Sequence, residues 1–290
     1  MSGETPQLLA MESPFPEQHH TLRLLEPLNS CQKSLWERLF DRTYAKPFII
    51  DSGLQRRLQF DLFTVQSAMH REHPDRLILA YTRKMMAFLL FNRTPARILL
   101  LGLGGGSLAK FCYRRLPYTA VTAVEVNPDV IALREEFRIP ADDDRFRVIC
   151  ADGAAYLARL GRSKDVILAD ACDRDGVAPE LDAIQFYQDA HRCLSGGGVF
   201  VANVCGDLHG CAAHVGKIRA VFGDEIMTLQ VRPDGNLIVF AFKERRPEID
   251  WEQLEVAAPG LKRKFGLDFP RYIRRIALNR KLRRWQPVFV

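Results

Sequence analysis

Long apolar runs and targeting segments are missing from this sequence. No stretch of the 290 residues approaches the roughly 18–20 consecutive apolar residues that cross a bilayer. The polar, proline-containing first 20 residues lack the basic start and apolar stretch of a secretory signal peptide. The hydrophobic content of 47% is nevertheless enough for a sizeable core. We therefore predict a cytoplasmic globular protein with one large domain or two smaller ones.

Paired cysteines are also missing. The seven cysteines are scattered along the chain, are odd in number and form no Cys-x-x-Cys pair. This spacing disfavours both a disulfide framework and a zinc site. We expect thiols in a reducing compartment and no bound metal.

Excess charge is confined to the end of the chain. Residues 260–290 carry a local charge of +9 while the whole chain carries +6, so the remainder carries −3. Within a basic C-terminal tail, residues 246–290, apolar residues recur near helical spacing between residues 269 and 285. We favour a helix packed on the body with a solvated basic face. The alternative is a docking helix for nucleic acid, an anionic membrane or an acidic partner.

The first third of the chain predicts a small β sheet between two helices. Residues 1–45 form an N-terminal extension with weak signals, in which residues 34–44 are a candidate amphipathic helix. Residues 46–94 begin with short β-like runs around a Ser-Gly turn, which predict a small antiparallel sheet. A connecting helix over residues 75–91 follows, with Asp75 at its start.

Strands alternate with helices over residues 95–245. Five β/α units begin with strands at residues 98–101, 120–126, 146–150, 165–169 and 199–204. The helices are predicted over residues 107–115, 128–137, 154–160, 179–194 and 208–222. Two further strands, residues 225–231 and 237–242, are only five residues apart, which is too short for a parallel crossover. The order predicts an α/β fold: a Rossmann-like class I methyltransferase sheet, mostly parallel with a terminal antiparallel hairpin.

A glycine-rich turn follows the first of these strands. Gly102, Gly104, Gly105 and Gly106 permit positive φ and let a ligand lie against the backbone. No Gly-Lys-Ser/Thr follows them, which argues against a nucleoside triphosphate. The turn alone is weak evidence of a site, because tight turns and helix starts also use glycine.

Two acidic residues follow the next two strands. Glu125 closes the second strand about 20 residues after the turn, where a carboxylate can accept hydrogen bonds from both ribose hydroxyls. Asp152, with Gly153, follows the third strand and can accept a hydrogen bond from an adenine amine. Parallel strands end at one edge of the sheet, so these groups converge there. Together they predict an adenosyl-type ligand.

Three carboxylates crowd the loop after the fourth strand. Asp170 ends that strand, and Asp173 and Asp175 follow within five residues. Their mutual repulsion requires a cation or hydrogen-bond donors. A cationic amine substrate would meet this requirement, and one carboxylate could take the amine's proton to make it nucleophilic. A solvated acidic loop is the alternative interpretation.

Residues 58–243 resemble the polyamine aminopropyltransferases, the spermidine and spermine synthases. The matching motifs are VQS at 65–67, LGLGGGSL at 101–108, VEVNPDVIAL at 124–133, ADG at 151–153, DACDRDGVAP at 170–179 and QFYQDAHRCLSGGGVFV at 185–201. The resemblance covers roughly two thirds of the chain and includes the small sheet ahead of the nucleotide domain. The Asp-x-x-Asp and the Phe-Tyr separate this family from methyltransferases in general.

The resemblance implies a role for each candidate residue. Decarboxylated S-adenosylmethionine, or S-adenosylmethionine itself, would be bound by Gln66, Gly102, Gly104, Gly105, Glu125, Asp152 and Gly153. Asp170 would accept the proton of the amine, Asp173 would help to place the amine, and Tyr81 would complete the catalytic set. The implied reaction transfers an aminopropyl group to a small amine and releases methylthioadenosine without a metal. The family commonly dimerises, so a homodimer is expected.

Two departures from the family pattern leave the donor and the reaction open. Gly105 stands where many members have an Asp that contacts the aminopropyl ammonium of the donor. The expected motif at the start of the preceding helix reads Ala80-Tyr81-Thr82, so Tyr81 substitutes only after a shift of one residue. An S-adenosylmethionine-dependent methyltransferase and a catalytically silent adenosyl-binding protein are therefore the alternatives.

Overall fold

The computed structural model describes residues 7–14, 20–170, 183–206, 208–224, 226–231, 235–244 and 249–285. Within these ranges, no helix has both the length and the apolar character that a membrane span requires. The same residues contain no cluster of three or more His, Cys, Asp or Glu side chains suited to a metal ion. Among the described residues, five cysteines are thiols outside any disulfide: Cys31, Cys112, Cys150, Cys193 and Cys211. Cys205 is disulfide-bonded, so the expectation of thiols throughout is wrong at that position.

The small N-terminal sheet is larger than the sequence indicates. Its five antiparallel strands lie in chain order: β1 Leu9–Glu12, β2 His20–Leu24, β3 Phe48–Ser52, β4 Gln55–Gln59 and β5 Val65–His70. The first two come from the predicted extension, where strands of four and five residues leave little pattern to detect. Leu9 and Met11 of β1 share a core with Leu35 and Leu39 of α1 (Gln32–Phe40). Burial of these side chains ties the extension into the sheet.

The connecting helix is shorter and less regular than predicted. α2 covers Ala80–Met85, and a 3₁₀ helix, Met86–Leu90, continues it. Leu79 is extended, so the helix cannot begin at Asp75, which instead pairs with Arg115 at 3.0 Å. The predicted start at Asp75 and the single helix over residues 75–91 are therefore wrong.

The second sheet contains the predicted strands in the predicted succession along the chain. Its strands are β6 Arg97–Leu101, β7 Ala120–Glu125, β8 Phe146–Cys150, β9 Lys164–Ala169, β10 Leu194–Val204, β11 Met227–Gln230 and β12 Leu237–Phe242. They lie in the order β11-β12-β10-β9-β6-β7-β8. Strands β6 to β10 run parallel to one another. β12 is antiparallel to both of its neighbours. The α/β fold with a terminal antiparallel hairpin is confirmed.

Helices cover both faces of this sheet. They are α3 Ser107–Arg115, α4 Pro128–Ala132, α5 Gly153–Arg159, α6 Ile184–Cys193 and α7 Leu208–Phe222. Burial on both faces explains the unbroken apolar run of β6, in which Ile98 and Leu99 are fully buried. The prediction that α4 continues to residue 137 is wrong. The chain turns after Ala132, and Phe137 and Ile139 fold back toward the glycine-rich turn.

The basic tail folds against the body. α8 (Trp251–Phe265) and α9 (Phe269–Trp285) place Phe269, Ile273 and Ile276 in the main core. The opposite face is basic and exposed: Lys262, Arg263, Lys264, Arg271, Arg274 and Arg275. This arrangement agrees with the favoured interpretation, a packed helix with a solvated basic face.

Candidate active site

A cavity opens at the carboxyl edge of the large sheet. Residues that follow β6, β7, β8 and β9 line it, together with residues of β5 and α2. Eight of the ten candidate residues share this lining: Gln66, Tyr81, Gly102, Gly104, Glu125, Asp152, Gly153 and Asp170. Asp173 lies outside the described residues. The topology therefore brings together groups that are about a hundred positions apart in sequence, because parallel strands end at a common edge.

The glycine-rich turn forms one wall of the cavity. Gly102, Gly104 and Gly106 have positive φ values of 93°, 50° and 68°. A side chain at Gly106 would also collide with Ile139, because a Cβ there would lie 2.5 Å from Cγ1. The turn therefore requires glycine for its backbone conformation and for the close approach of the segment that follows α4.

Glu125 ties the end of β7 to this turn. One carboxylate oxygen accepts from the backbone N–H of Leu103 at 2.9 Å and from that of Gly104 at 3.4 Å. The other oxygen accepts from the N–H of Asn127 at 3.0 Å. Backbone donors thus hold the carboxylate in place while it lines the cavity. Oε1 accepts one N–H group and keeps a lone pair that can accept a ribose hydroxyl, whereas Oε2 already accepts two N–H groups.

Asp152 has a structural task as well as a place in the cavity. Its Oδ1 accepts from the N–H of Ala155 at 2.6 Å and caps α5. This bond satisfies a helix N–H that would otherwise lack a partner. The cap also holds the side chain at the rim, where the second oxygen can accept an amine hydrogen.

Asp170 is the cavity carboxylate that accepts hydrogen bonds from side chains of two other elements, β10 and α2. Its backbone N–H donates to Leu101 at 2.8 Å, which fixes the end of β9 beside β6. Asn203 Nδ2 donates to Asp170 Oδ1 at 2.9 Å, and the Tyr81 hydroxyl donates a second hydrogen bond. Burial raises the pKa of Asp170 to about 6, although the hydrogen bonds from Asn203 and Tyr81 both favour the ionised form.

Tyr81 stays protonated beside this carboxylate. Burial, followed by the negative charge of Asp170, raises the pKa of Tyr81 well above its ordinary value. The hydroxyl therefore acts as a hydrogen-bond donor at neutral pH and not as an acid or base. The placement of Tyr81 in α2 brings it to Asp170 despite the one-residue shift in the motif.

Gly105 lies behind the cavity and is not in its lining. A Cβ at this position would lie 2.8 Å from Phe137 Cδ1 and 2.8 Å from Ser67 Oγ. Both neighbours are buried, with Phe137 1% exposed and Ser67 5% exposed. A side chain at Gly105 would therefore collide with Phe137 and Ser67 unless these neighbours move.

Three polar residues that line or support the cavity were not among the predicted site residues. Ser67 and Ser107 hydroxyls lie 3.3 Å apart and join β5 to the start of α3. Asn203 supports Asp170 from β10. The available signal was a lone amide in the apolar run FVANV, since a buried polar group needs a partner. Which partner it meets depends on the fold.

Comparison with known proteins places this geometry in a family. Residues 78–209 match the spermine/spermidine synthase domain. A polyamine aminopropyltransferase of Chromobacterium violaceum is 37% identical over 229 residues, which cover 79% of this chain and 88% of that protein. A second such enzyme, from Neisseria meningitidis, is 36% identical over 78% of this chain and 86% of its own length.

Solved structures show the same fold. A probable spermidine synthase from Corynebacterium glutamicum superposes with a TM-score of 0.60 at 18% identity, covering 87% of this chain and 86% of that one. Human methyltransferase-like protein 13, in complex with SAH, gives a TM-score of 0.59 at 26% identity, covering 65% and 93%. The sequence similarity extends over most of both chains in the bacterial relatives, so this chain belongs to the spermine/spermidine synthase family of transferases.

Proposed function

We propose that the protein transfers an aminopropyl group from decarboxylated S-adenosylmethionine to a small polyamine, with Asp170 as the base. The observation that carries the proposal is the joining of Asp170, Tyr81, Glu125 and Asp152 in one cavity at the sheet edge. The relatives named polyamine aminopropyltransferase support the reaction class. A related fold in complex with SAH supports an adenosyl donor.

The donor would lie along the carboxyl edge of the sheet. Glu125 would accept the ribose hydroxyls, Asp152 would accept the adenine amine, and Gly102, Gly104 and Gly153 would let the donor lie against the backbone. Gln66 would contact the donor from β5. The described cavity therefore has a carboxylate for each end of the adenosine.

The reaction needs a neutral amine next to the donor's sulfonium. The amine nitrogen attacks the carbon beside sulfur, the carbon–sulfur bond breaks, and its electron pair stays on sulfur as methylthioadenosine leaves. Asp170 takes the proton that the attacking amine loses. Since the sulfonium is already a good leaving group, the protein mainly orients the reactants and removes that proton.

The position of Gly105 favours one second candidate. No carboxylate stands there to hold the ammonium of a decarboxylated donor, and Phe137 and Ser67 fill the space. S-adenosylmethionine itself could then be the donor for methyl transfer, which would give S-adenosylhomocysteine. A homodimer, a cytoplasmic location and a role for Asp173 remain predictions.

Product analysis separates these functions. Incubation with decarboxylated S-adenosylmethionine and putrescine or spermidine should release methylthioadenosine in step with the longer polyamine. Release of S-adenosylhomocysteine from S-adenosylmethionine instead would replace the proposal with methyl transfer. Donor binding without either product would identify a silent adenosyl-binding protein.

Asp170→Asn should lower kcat by at least about a hundredfold, because general-base catalysis contributes on that scale. Donor affinity measured by calorimetry should change little. In the wild type, kcat/KM should fall as the pH drops through about 6, because protonation removes the base. The same change at exposed Asp144 serves as the control and should leave turnover intact. Full activity of Asp170→Asn would remove this residue from the mechanism.

A further inference from the structure

A buried amide supports Asp170 from the neighbouring strand. Asn203 lies in β10, between Ala202 and Val204 in the sequence, and is 5% exposed. Burial of an amide without hydrogen-bond partners costs about 1–3 kcal/mol. Both ends of this amide are bonded: Nδ2 donates to Asp170 Oδ1 at 2.9 Å, and Oδ1 accepts from Asn236 Nδ2 at 2.9 Å.

The bonds to Asp170 and to Asn236 require the same orientation of the Asn203 amide. The oxygen and the NH₂ group of a side-chain amide have nearly the same shape, so packing alone selects neither. Ionised Asp170 only accepts, so it engages the NH₂ group of Asn203, and the oxygen of Asn203 then accepts from Asn236 Nδ2. The reversed amide would place an acceptor against the acceptor oxygens of ionised Asp170.

Asn236 is itself held in place by the terminal hairpin. It directly precedes β12, whose antiparallel register sets Ile238 opposite Asn203 and Leu237 opposite Val204. The backbone oxygen of Asn236 accepts from the N–H of Val231 at 2.8 Å. The hairpin therefore fixes the position of Asn236, whose side chain donates the hydrogen bond to Asn203.

The geometry points to an amide relay, Asn236–Asn203–Asp170, in which Asn203 is the positioning residue of the base and Asn236 orients Asn203. Tyr81 donates to the same carboxylate from α2, so donors on two elements fix its orientation. The inference rests on the proposed role of Asp170 as the base. The inference gives the antiparallel strand β12 a part in supporting the site, although the reaction itself does not require this strand.

Other polar groups also lie near Asp170. Among the described residues, Tyr81 is the titratable side chain bonded to Asp170, while Glu125 and Asp152 line the cavity from β7 and α5. From β6, the backbone oxygen of Leu101 accepts the N–H of Asp170. A variant that leaves these groups unchanged therefore reports on the relay.

Asn203→Leu should weaken catalysis without loss of donor binding. Removal of the Asn203 NH₂ group, which donates a hydrogen bond to the carboxylate, should raise the pKa of Asp170. The acid limb of the kcat/KM profile should therefore move to higher pH. A misplaced base should lower kcat by about ten- to a hundredfold, while donor affinity stays within about twofold. Asn236→Leu should produce a smaller shift in the same direction.

Asn279→Leu is the matched control. Asn279 Nδ2 donates to the backbone oxygen of Thr228 at 2.9 Å, away from the cavity lining, so its loss tests general damage from removing a partly buried amide. An equal response from Asn279→Leu, or an unchanged acid limb in folded Asn203→Leu, would overturn the relay. If Asn203→Leu does not fold, the half-buried Asn236→Leu decides the question by the same measurement.

A second measurement separates the relay from the proposed reaction. Carbon-detected NMR follows the titration of the aspartate carboxyls, and Asp170→Asn identifies the signal of Asp170. The midpoint should rise in Asn203→Leu and in Asn236→Leu but not in Asn279→Leu. This result would support the relay even if the wild type releases no methylthioadenosine. Unchanged midpoints alongside full turnover would overturn the relay and keep the proposed function.

Discussion

Three carboxylates line one cavity, and each is treated differently by its neighbours. Glu125 accepts three backbone N–H groups and is held as a fixed acceptor. Asp152 caps a helix. Asp170 is enclosed by protein, which raises its pKa to about 6. Such separation of environments is how one site obtains both ligand-binding carboxylates and a base that can exchange a proton near neutral pH.

At Gly105 the absent side chain is a packing requirement. Gly105→Asp would bring Cβ to 2.8 Å from buried Phe137 and Ser67, so the turn or its neighbours must move. We expect a loss of about 1–3 kcal/mol in the free energy of unfolding, as in other overpacked cores. Weaker binding of both donors should accompany it. Urea denaturation and calorimetry measure the two effects.

The control for Gly105→Asp is Gly161→Asp. A Cβ at Gly161 has nothing within 4 Å, so the same new charge should cost little there. If Gly105→Asp kept full stability and bound the decarboxylated donor more tightly, the departure from the family pattern would be a simple loss of a contact. Phe137→Ala in the Gly105→Asp background should restore room and recover part of the lost stability.

At the scale of elements, the segment after α4 links the two sheets to the glycine-rich turn. Phe137 and Ile139 of this segment pack on Gly105 and Gly106. Lys110 of α3 is fully buried and donates to the Phe137 oxygen at 2.6 Å; burial, then the charge of Arg114, lowers its pKa to about 7. The small sheet contacts the same segment through Arg56, which donates to the Glu136 backbone oxygen at 2.7 Å.

Arg56→Met should uncouple the small sheet from this segment. Arg56 makes two hydrogen bonds to Asp51, at 2.7 and 2.8 Å, and also pairs with the Glu136 carboxylate. Its removal leaves the buried Asp51 charge short of a partner, a change that typically costs about 3–5 kcal/mol. We expect a lower unfolding midpoint in urea and weaker donor binding, since the segment supports the turn.

Arg23→Met is the comparison for Arg56→Met. Arg23 bonds the same Asp51 at 2.9 Å, but its side chain is 36% exposed, so its loss should cost less than about 1 kcal/mol. Equal costs for the two variants would show that burial of Arg56 is unimportant. Unchanged donor binding in Arg56→Met would show that the small sheet does not support the turn.

The elements that could be predicted are those with a strong local sequence pattern. The buried strands β6 to β10 and the glycine-rich turn carry strong signals, because an apolar run buried on both faces and a turn with positive φ each need particular residues. β1 and β2 are short, and the pairing of β2 with β3 is a long-range contact. α2 begins only after the extended residue Leu79, and Asp75 instead pairs with Arg115 of α3, a contact that local sequence does not contain.

In the candidate site, too, some residues follow from the local sequence and others depend on the fold. Glu125, Asp152 and Asp170 are recognisable because each follows a strand, and parallel topology then brings them together. The Asn236–Asn203–Asp170 contacts depend on the register of β12 against β10, which no single segment specifies. Gly105 looked like part of the ligand site because the motif is contiguous, whereas its surroundings come from Phe137 and Ser67.

At the scale of the whole molecule, the basic C-terminal helices complete the core. Phe269, Ile273 and Ile276 are at most 1% exposed, while Arg271 and Arg274 face solvent. α9 packs on β11 and on the 3₁₀ helix of residues 86–90, which continues α2, the helix that carries Tyr81. The apolar face of the tail thus belongs to the folded body, and the basic face is a surface property.

This division predicts opposite results for substitutions on the two faces of α9. Phe269→Ala should lower the free energy of unfolding by about 3–5 kcal/mol, because it leaves a cavity in the core. Arg271→Gln combined with Arg274→Gln should change it by no more than about 0.5 kcal/mol per site. Urea denaturation at fixed ionic strength measures both. A large stability loss from the arginine variant, with little effect of Phe269→Ala, would mean that charge, and not burial of the apolar face, holds the tail to the body.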